Sequence, residues 1–235
     1  MKIIEAGNIL AAFSDASDGD LSLYTMADEK AASVWKELPV VGRYALSLPV
    51  YANQVHRNDV LQVKKNSSEF CAGEADGLIT DCFNRPIGVF SADCLPLLIF
   101  NDQACAAIHA GWRSTHLNIA QKAVEAFSSN YKIEAVGLKT LIGPCINQCC
   151  LEMGDEVYDE FVAADANYRQ FFVKKNKWHL DLRALNRFQL VKAGLKNDNI
   201  ADVNLCTFCN QDEFFSFRRQ KKRNGSMFSF VVRRS

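Results

Sequence analysis

Three residues far apart in the sequence share a chemistry. His56 closes the segment Asn53-Gln54-Val55-His56, Cys94 interrupts an apolar run in Ala92-Asp93-Cys94-Leu95-Pro96, and His109 opens His109-Ala110-Gly111-Trp112-Arg113. Two neutral imidazoles and a thiolate form a donor set that suits zinc or copper, and three protein ligands leave one position open. The plainer alternative is a buried structural cysteine with two hydrogen-bonded histidines, and spacing alone does not choose between them. Cys94 and His109 stand fifteen positions apart across an expected hairpin turning near Asn101-Asp102, which makes them spatial neighbours. His56 must arrive from another segment. The chain has only four histidines, His56, His109, His116 and His179, so few other imidazoles are available.

Other chemistry-bearing residues cluster nearby in type. Asp93, next to Cys94, is a candidate for proton transfer or for support of the ligand set, and equally a turn-capping aspartate. Arg113 sits where a helix is expected to begin, so its guanidinium and the free amides there form a natural phosphate site. Arg218, in Phe215-Ser216-Phe217-Arg218-Arg219, can aim at a small anionic substrate. The segment Ile142-Gly143-Pro144-Cys145-Ile146-Asn147-Gln148-Cys149-Cys150 is rich in thiols and forms a possible pocket wall through Cys145. Cys206-Thr207-Phe208-Cys209 is a C-x2-C pair that with Cys145 and Cys149 has the composition of a closed four-cysteine zinc site, although packing thiols are the favoured reading. As a redox motif the pair is poorly placed, because no helix pattern follows it.

Composition bounds the rest. A chain of 235 residues that is 49% hydrophobic can bury a sizeable core, read here as one domain over residues 1–235. Lys+Arg and Asp+Glu are 27 each, so no global field recruits nucleic acid or an anionic membrane, and the basic group Arg218, Arg219, Lys221, Lys222, Arg223, Arg233 and Arg234 reads as a solvated hairpin. No apolar stretch approaches the ~20 residues of a membrane helix and no export signal is recognisable, which gives a cytoplasmic expectation. Nine cysteines, an odd number, then read as thiols rather than a disulfide framework.

The elements that must position these residues follow from periodicity. Strands are expected around Asn8 to Phe13, Ala45 to Val55, Asp59 to Lys64 and Gly77 to Cys82, with a helix from Glu29 to Leu38 capped by Asp28. Ile87 to Phe100 reads as a buried strand pair or one bent strand, and Pro96 argues against a simple central ladder there. Ala104 to His109 is its partner strand. A helix from Ser114 or Thr115 carries Leu117, Ala120, Val124 and Phe127 on one face. Thr140 to Ile142 is a strand, Gly154 to Ala164 and Leu182 to Ala193 are helices, and Phe214 to Arg218 with Met227 to Val232 make a hairpin around Asn224-Gly225. Strands and helices without a strict βαβ rhythm indicate α+β with mixed sheets.

Taken in order, Gln54-Val55-His56, Ala75-Asp76-Gly77-Leu78-Ile79-Thr80, Ala92-Asp93-Cys94-Leu95-Pro96, His109-Ala110-Gly111-Trp112-Arg113, Ile142-Gly143-Pro144-Cys145-Ile146 and Phe214-Phe215-Ser216-Phe217-Arg218-Arg219 resemble the bacterial laccase-domain family. That family is also called multicopper polyphenol oxidoreductase-like, peptidoglycan-editing-factor or purine nucleoside phosphorylase. The resemblance spans roughly Gln54 to Arg234. It implies a single-domain layered α/β/β/α sandwich with a metal on His56, Cys94 and His109. It also implies zinc-dependent phosphorolysis of adenosine, inosine and methylthioadenosine, with adenosine deamination as a side activity. Substrate contacts are then expected from Gln54, Arg113, Cys145 and Arg218, and catalytic roles for Cys94, His109 and Asp93. The partners are a nucleoside and phosphate, with neither nucleic acid nor membrane, and the chain is expected as a monomer or weak homodimer.

The sequence also departs from the family pattern. Phe13 to Asp20 lacks the arginine and paired glycines of the family's opening motif, Asn147-Gln148 replaces Gly-Pro, and Gly225-Ser226 replaces Gly-Arg. These changes bear on substrate contacts more than on metal ligands. A full multicopper oxidase is disfavoured because a separate three-copper cluster needs more imidazoles than His116 and His179 supply. Two alternatives to zinc-dependent phosphorolysis remain: a cysteine hydrolase with Cys94 as nucleophile and His109 as base, cleaving an amide in a peptidoglycan precursor, and a metal- or nucleic-acid-binding protein without turnover. Copper is the second choice of metal.

Overall fold

The polar interruption between Ser91 and Cys94 is where the chain leaves one β-sheet and enters another. The computed structural model describes residues 1–65, 70–222 and 224–235; Arg223, one of the basic residues above, lies outside them. Along the chain the elements are β1 (Lys2–Ala6), β2 (Ile9–Phe13), α1 (Asp28–Glu37), α2 (Pro39–Tyr44), β3 (Val50–Asn53), β4 (Val60–Gln62), β5 (Phe70–Glu74), β6 (Gly77–Thr80), β7 (Ile87–Ser91), β8 (Leu95–Phe100) and β9 (Cys105–Ala110). They continue with α3 (Trp112–His116), α4 (Ile119–Tyr131), β10 (Lys139–Ile142), β11 (Glu152–Met153), α5 (Asp155–Ala164), β12 (Phe172–Lys174), β13 (Trp178–Leu180), α6 (Leu182–Lys192), β14 (Ile200–Asp202), α7 (Phe217–Gln220) and β15 (Met227–Arg233).

Two mixed six-stranded sheets, ordered β1-β2-β15-β7-β3-β5 and β14-β10-β8-β9-β6-β4, pack face to face, and β11-β13-β12 form a small third sheet. Strand alternation sorts the side chains into layers. On β2, Ile9, Ala11 and Phe13 point between the sheets, where they meet Leu98 and Phe100 of β8, while Leu10 and Ala12 point outward with Trp35 of α1. The opposite face of β8 sends Leu95, Leu97 and Ile99 against Ala120, Val124 and Phe127 of α4 and Leu185 of α6. Both faces of the central strands β2, β7, β8 and β9 are therefore buried, which explains why they are apolar nearly throughout. The result is the expected α/β/β/α sandwich of one α+β domain.

Several expected elements differ. Ile87 to Phe100 is two strands that do not pair with each other: β7 belongs to the first sheet and β8 to the second. Contrary to expectation, β8 is central, and Pro96 is tolerated because it sits at the strand's start, before pairing with β10 begins at Leu97↔Ile142. Ala45 to Val55 shortens to β3, since Ala45 takes a left-handed φ of 49° as it leaves α2. Ala27, not Asp28, occupies the cap of α1. The helix expected from Ser114 starts at Trp112 and breaks at Asn118, whose φ is 59°, so Leu117 is exposed rather than packed with Ala120 and Val124. The C-terminal hairpin is absent among the described residues. Ser216 accepts a hydrogen bond from the Arg219 amide and starts α7, so only Met227–Arg233 is a strand there.

Candidate metal centre

Each member of the His56, Cys94 and His109 group sits at a boundary of an element. His56 follows β3 as the chain passes from the first sheet to β4 of the second, and Cys94 follows β7 at the corresponding crossing into β8. His109 lies on β9, opposite Pro96, in the hairpin that turns at Asn101, whose Oδ1 accepts from the amides of Gln103 and Ala104. That register sets Cys94 beside Gly111. Two crossings between the sheets and one strand end thus converge, and the three donor atoms lie within 4.8 Å of one another. The two imidazoles meet edge to face, 4.9 Å between centroids and 83° apart.

Gly111 is needed there for room. Its backbone is extended, but a Cβ would stand 3.1 Å from Cys94 Sγ and 3.2 Å from His56 Cδ2. Close approach, not a left-handed backbone, is what calls for a glycine here.

Asp76, just before β6, holds the group together. Its Oδ1 lies 2.8 Å from His109 Nδ1, and its Oδ2 accepts from the amides of Arg57 at 2.7 Å and Val55 at 3.2 Å, the neighbours of His56. His56 itself has a positive φ of 59°, a strained conformation that these two bonds help to fix. With Nδ1 directed at the carboxylate, Nε2 of His109 is left for the metal side. Burial raises the Asp76 pKa, but the bond to His109, the His109 charge and the backbone amides of Arg57 and His56 outweigh it and hold the carboxyl below its usual range. In the sequence Asp76 stands out only within the Ala75-to-Thr80 motif, because an aspartate before a glycine is indistinguishable from a turn residue until the fold sets it against His109.

The electrostatics favour a charged thiolate. Burial pushes the Cys94 thiol up, yet the His109 charge and the hydrogen bonds from His109 and His56 prevail and bring it down to about 6. Burial likewise lowers His109, but the Cys94 thiolate and Asp76 raise it to about 9.

A cavity of about 430 Å³ opens over the three donors, with Tyr24, Phe90, Trp112 and Phe217 as aromatic wall and Arg113 and Arg218 as cations. This is the volume of a small-molecule site. The other predicted residues fall into place unevenly. Gln54 lines the cavity, but its side-chain amide is bonded twice to the Phe90 backbone, donating to O at 2.8 Å and accepting from N at 2.7 Å. Asp93 has φ 105° and gives one carboxylate oxygen to Thr207 Oγ1 and the other to the Arg218 amide, each at 2.7 Å, so its bonds position the Cys94 turn and α7. Desolvation raises its pKa above the usual range despite those donors. Arg113 lies 4.3 Å over the Trp112 ring and Arg218 donates to Glu152 O.

Cys145 corrects an expectation. It is fully buried, its thiol faces the Ile146 carbonyl and Asn147, and Ile146 rather than Cys145 lines the cavity. Its alternation on the chain, bridged to Cys206, turns the thiol away from the pocket. His116 and His179 are also elsewhere, against Glu160 O and Gln148 O.

A family model described as multi-copper polyphenol oxidoreductase laccase matches residues 20–234. The chain belongs to this family. Among its relatives, the purine nucleoside phosphorylase YfiH of Escherichia coli is 32% identical over 188 residues, covering 79% of this chain and 74% of that one. An adenosine deaminase of an unknown prokaryotic organism is 37% identical over 164 residues, covering 68% and 62%. The crystal structure of the Bacillus licheniformis hypothetical protein YfiH matches the fold with a TM-score of 0.86 and 26% identity, over 95% of this chain and 92% of that one. In this laccase-like chain, no His-rich cluster beyond His56, Cys94 and His109 exists among the described residues, so a three-copper centre has no ligands here. Among the described residues no helix is long and apolar enough to cross a membrane.

Proposed function

We propose that this chain is a zinc-dependent purine nucleoside phosphorylase acting on adenosine, inosine and methylthioadenosine, with adenosine deamination as a second reaction. The observation that carries the reading is the convergence of His56, Cys94 and His109 at an aromatic-walled cavity that also presents Arg113 and Arg218. Relatives named purine nucleoside phosphorylase and adenosine deaminase support it.

The donor set fits zinc: one thiolate, two imidazoles, one of them oriented by a carboxylate, all close enough to share one tetrahedral ion, with copper the second choice. When bound, such an ion supplies Lewis-acid polarisation and lowers the pKa of water toward about 7. The aromatic walls take the flat purine and exclude water around it. Arg113 and Arg218 draw phosphate to the ribose and neutralise its charge. In phosphorolysis a phosphate oxygen bonds to the anomeric carbon as the carbon–nitrogen bond breaks, and the leaving purine takes up a proton. In deamination water replaces the exocyclic amino group, which leaves as ammonia. Asp93, which also lines the cavity, keeps Cys94 and Arg218 in register through Thr207 and the Arg218 amide.

The lowered Cys94 pKa favours a second reading, a cysteine hydrolase with Cys94 as nucleophile and His109 as base. Turnover of adenosine and inosine, with and without phosphate, in native, chelated and Cys94→Ser protein separates the two. Free base that needs phosphate and disappears on chelation supports the phosphorylase. Amide cleavage that survives chelation and is lost in Cys94→Ser supports the hydrolase, and no nucleoside turnover by the zinc-loaded protein overturns the proposal.

A further inference from the structure

A second group of thiols lies outside this centre. Cys149 and Cys150, in the turn after β10, meet Cys206 and Cys209, in the loop after β14, and all four sulfurs lie within 4.8 Å of one another. Separate contacts are 3.4 Å for Cys150 to Cys209, 3.5 Å for Cys149 to Cys150, 3.7 Å for Cys149 to Cys209 and 3.9 Å for Cys149 to Cys206. A tetrahedral zinc with Zn–S bonds of about 2.3 Å requires sulfurs about 3.8 Å apart. A disulfide would need a single pair at about 2.05 Å. The four sulfurs instead form a compact group with edges of the tetrahedral size.

The surroundings direct donors at one of these sulfurs and fix both loops. The amides of Asn147, Cys209 and Phe208 all direct hydrogen bonds at Cys206 Sγ, Asn147 from 3.4 Å, as donors do around a metal-bound sulfur. Arg219 satisfies the carbonyls of Thr207 and Phe208 inside the C-x2-C turn, and also Phe214 O. Buried Arg183 bridges the two cysteine-bearing loops, donating to Asn147 Oδ1, Leu205 O and the Asp202 carboxylate. Both loops are therefore held before any ion is added. Cys145, the residue whose spacing first paired with Cys149, is not one of the four; Cys150 takes that place.

We propose that Cys149, Cys150, Cys206 and Cys209 form a second, structural zinc site with four thiolate ligands, separate from His56, Cys94 and His109. A closed site of this kind leaves no position for substrate, so its role is to fix the loops. Thr207, between two of the ligands, donates to Asp93 beside Cys94, so the cluster braces the cavity from behind.

Metal analysis of protein purified under reducing conditions with zinc tests this. Native protein is expected to hold two zinc ions per chain, and Cys209→Ser and Cys149→Ser, both at exposed positions, one each. A variant carrying His56→Ala and Cys94→Ser is expected to keep one, with an X-ray absorption shell of four sulfurs at about 2.3 Å. If native protein holds one ion, which the His56→Ala, Cys94→Ser variant loses entirely, the proposal is wrong. It is equally overturned if the retained ion shows nitrogen or oxygen neighbours, if both serine variants keep two ions, or if the four cysteines are found as disulfides. The absorption measurement stands even where a serine variant does not fold.

Discussion

Asp76 and His109 are joined twice, by the His109 amide to Asp76 O at 2.7 Å and by Asp76 Oδ1 to His109 Nδ1 at 2.8 Å. Because Oδ2 also receives the amides on either side of His56, one carboxylate orients two of the three ligand-bearing segments. Asp76→Asn preserves shape but cannot accept at all of these donors. Metal affinity at the centre should fall by about 10–100-fold. Competition with a zinc chelator measures it, and an unchanged affinity would show that Asp76 serves the fold alone.

Gly111→Ala separates space from backbone freedom. The extended backbone accepts alanine, but the new methyl meets Cys94 Sγ and His56 at 3.1 and 3.2 Å, so the ligands must give way. The variant is expected to melt close to the parent while binding zinc at the His56, Cys94 and His109 centre several-fold more weakly. Calorimetry beside a metal titration tests this; equal affinity would mean the site relaxes freely.

The lowered Cys94 and raised His109 values define a pH window in the chelated protein. A depressed thiol pKa means thiolate persists above about 6, and a raised imidazole pKa means imidazolium persists below about 9, so the ion pair exists between them. Its contribution to stability is lost as pH falls through 6, when the thiolate protonates, and as pH rises through 9, when the imidazole loses its proton. Alkylation of the Cys94-containing peptide, followed by mass spectrometry across pH, should have its midpoint near 6. A midpoint near 9, the ordinary value, would remove the pairing.

How far the sequence was legible depends on the range of the interaction. Residue type singled out His56, Cys94 and His109 and periodicity indicated α+β with mixed sheets, because both are local properties, but the union of the three in one site and the layered sandwich came from the resemblance to the family. The role of Asp76 was not legible, since it depends on contacts 19, 21 and 33 positions away. Phe214 to Arg218 alternates like a strand, but the Ser216 cap and the Asp93 bond to the Arg218 amide turn it into α7. Strands β11, β12 and β13 are two or three residues long, too short for periodicity to register. For the same reason spacing selected Cys145 where the folded turn presents Cys150.

Arg113→Ala should act on phosphate rather than on metal. The guanidinium is exposed at the cavity and makes its noted contact with the Trp112 ring, so folding should be little changed. Losing one charge-assisted bond, worth about 1.5–3 kcal/mol, should raise the KM for phosphate by roughly 10–100-fold. Steady-state kinetics with varied phosphate tests this, and an unchanged KM would assign phosphate to Arg218 alone.

The most direct test of the central claim is return of zinc to chelated protein while free purine base is measured from inosine with phosphate present. The account predicts that base release returns in step with occupancy of His56, Cys94 and His109, stays absent without phosphate, and does not return in Cys94→Ser. Release at full rate from chelated protein, or none from protein with that site filled, would contradict it.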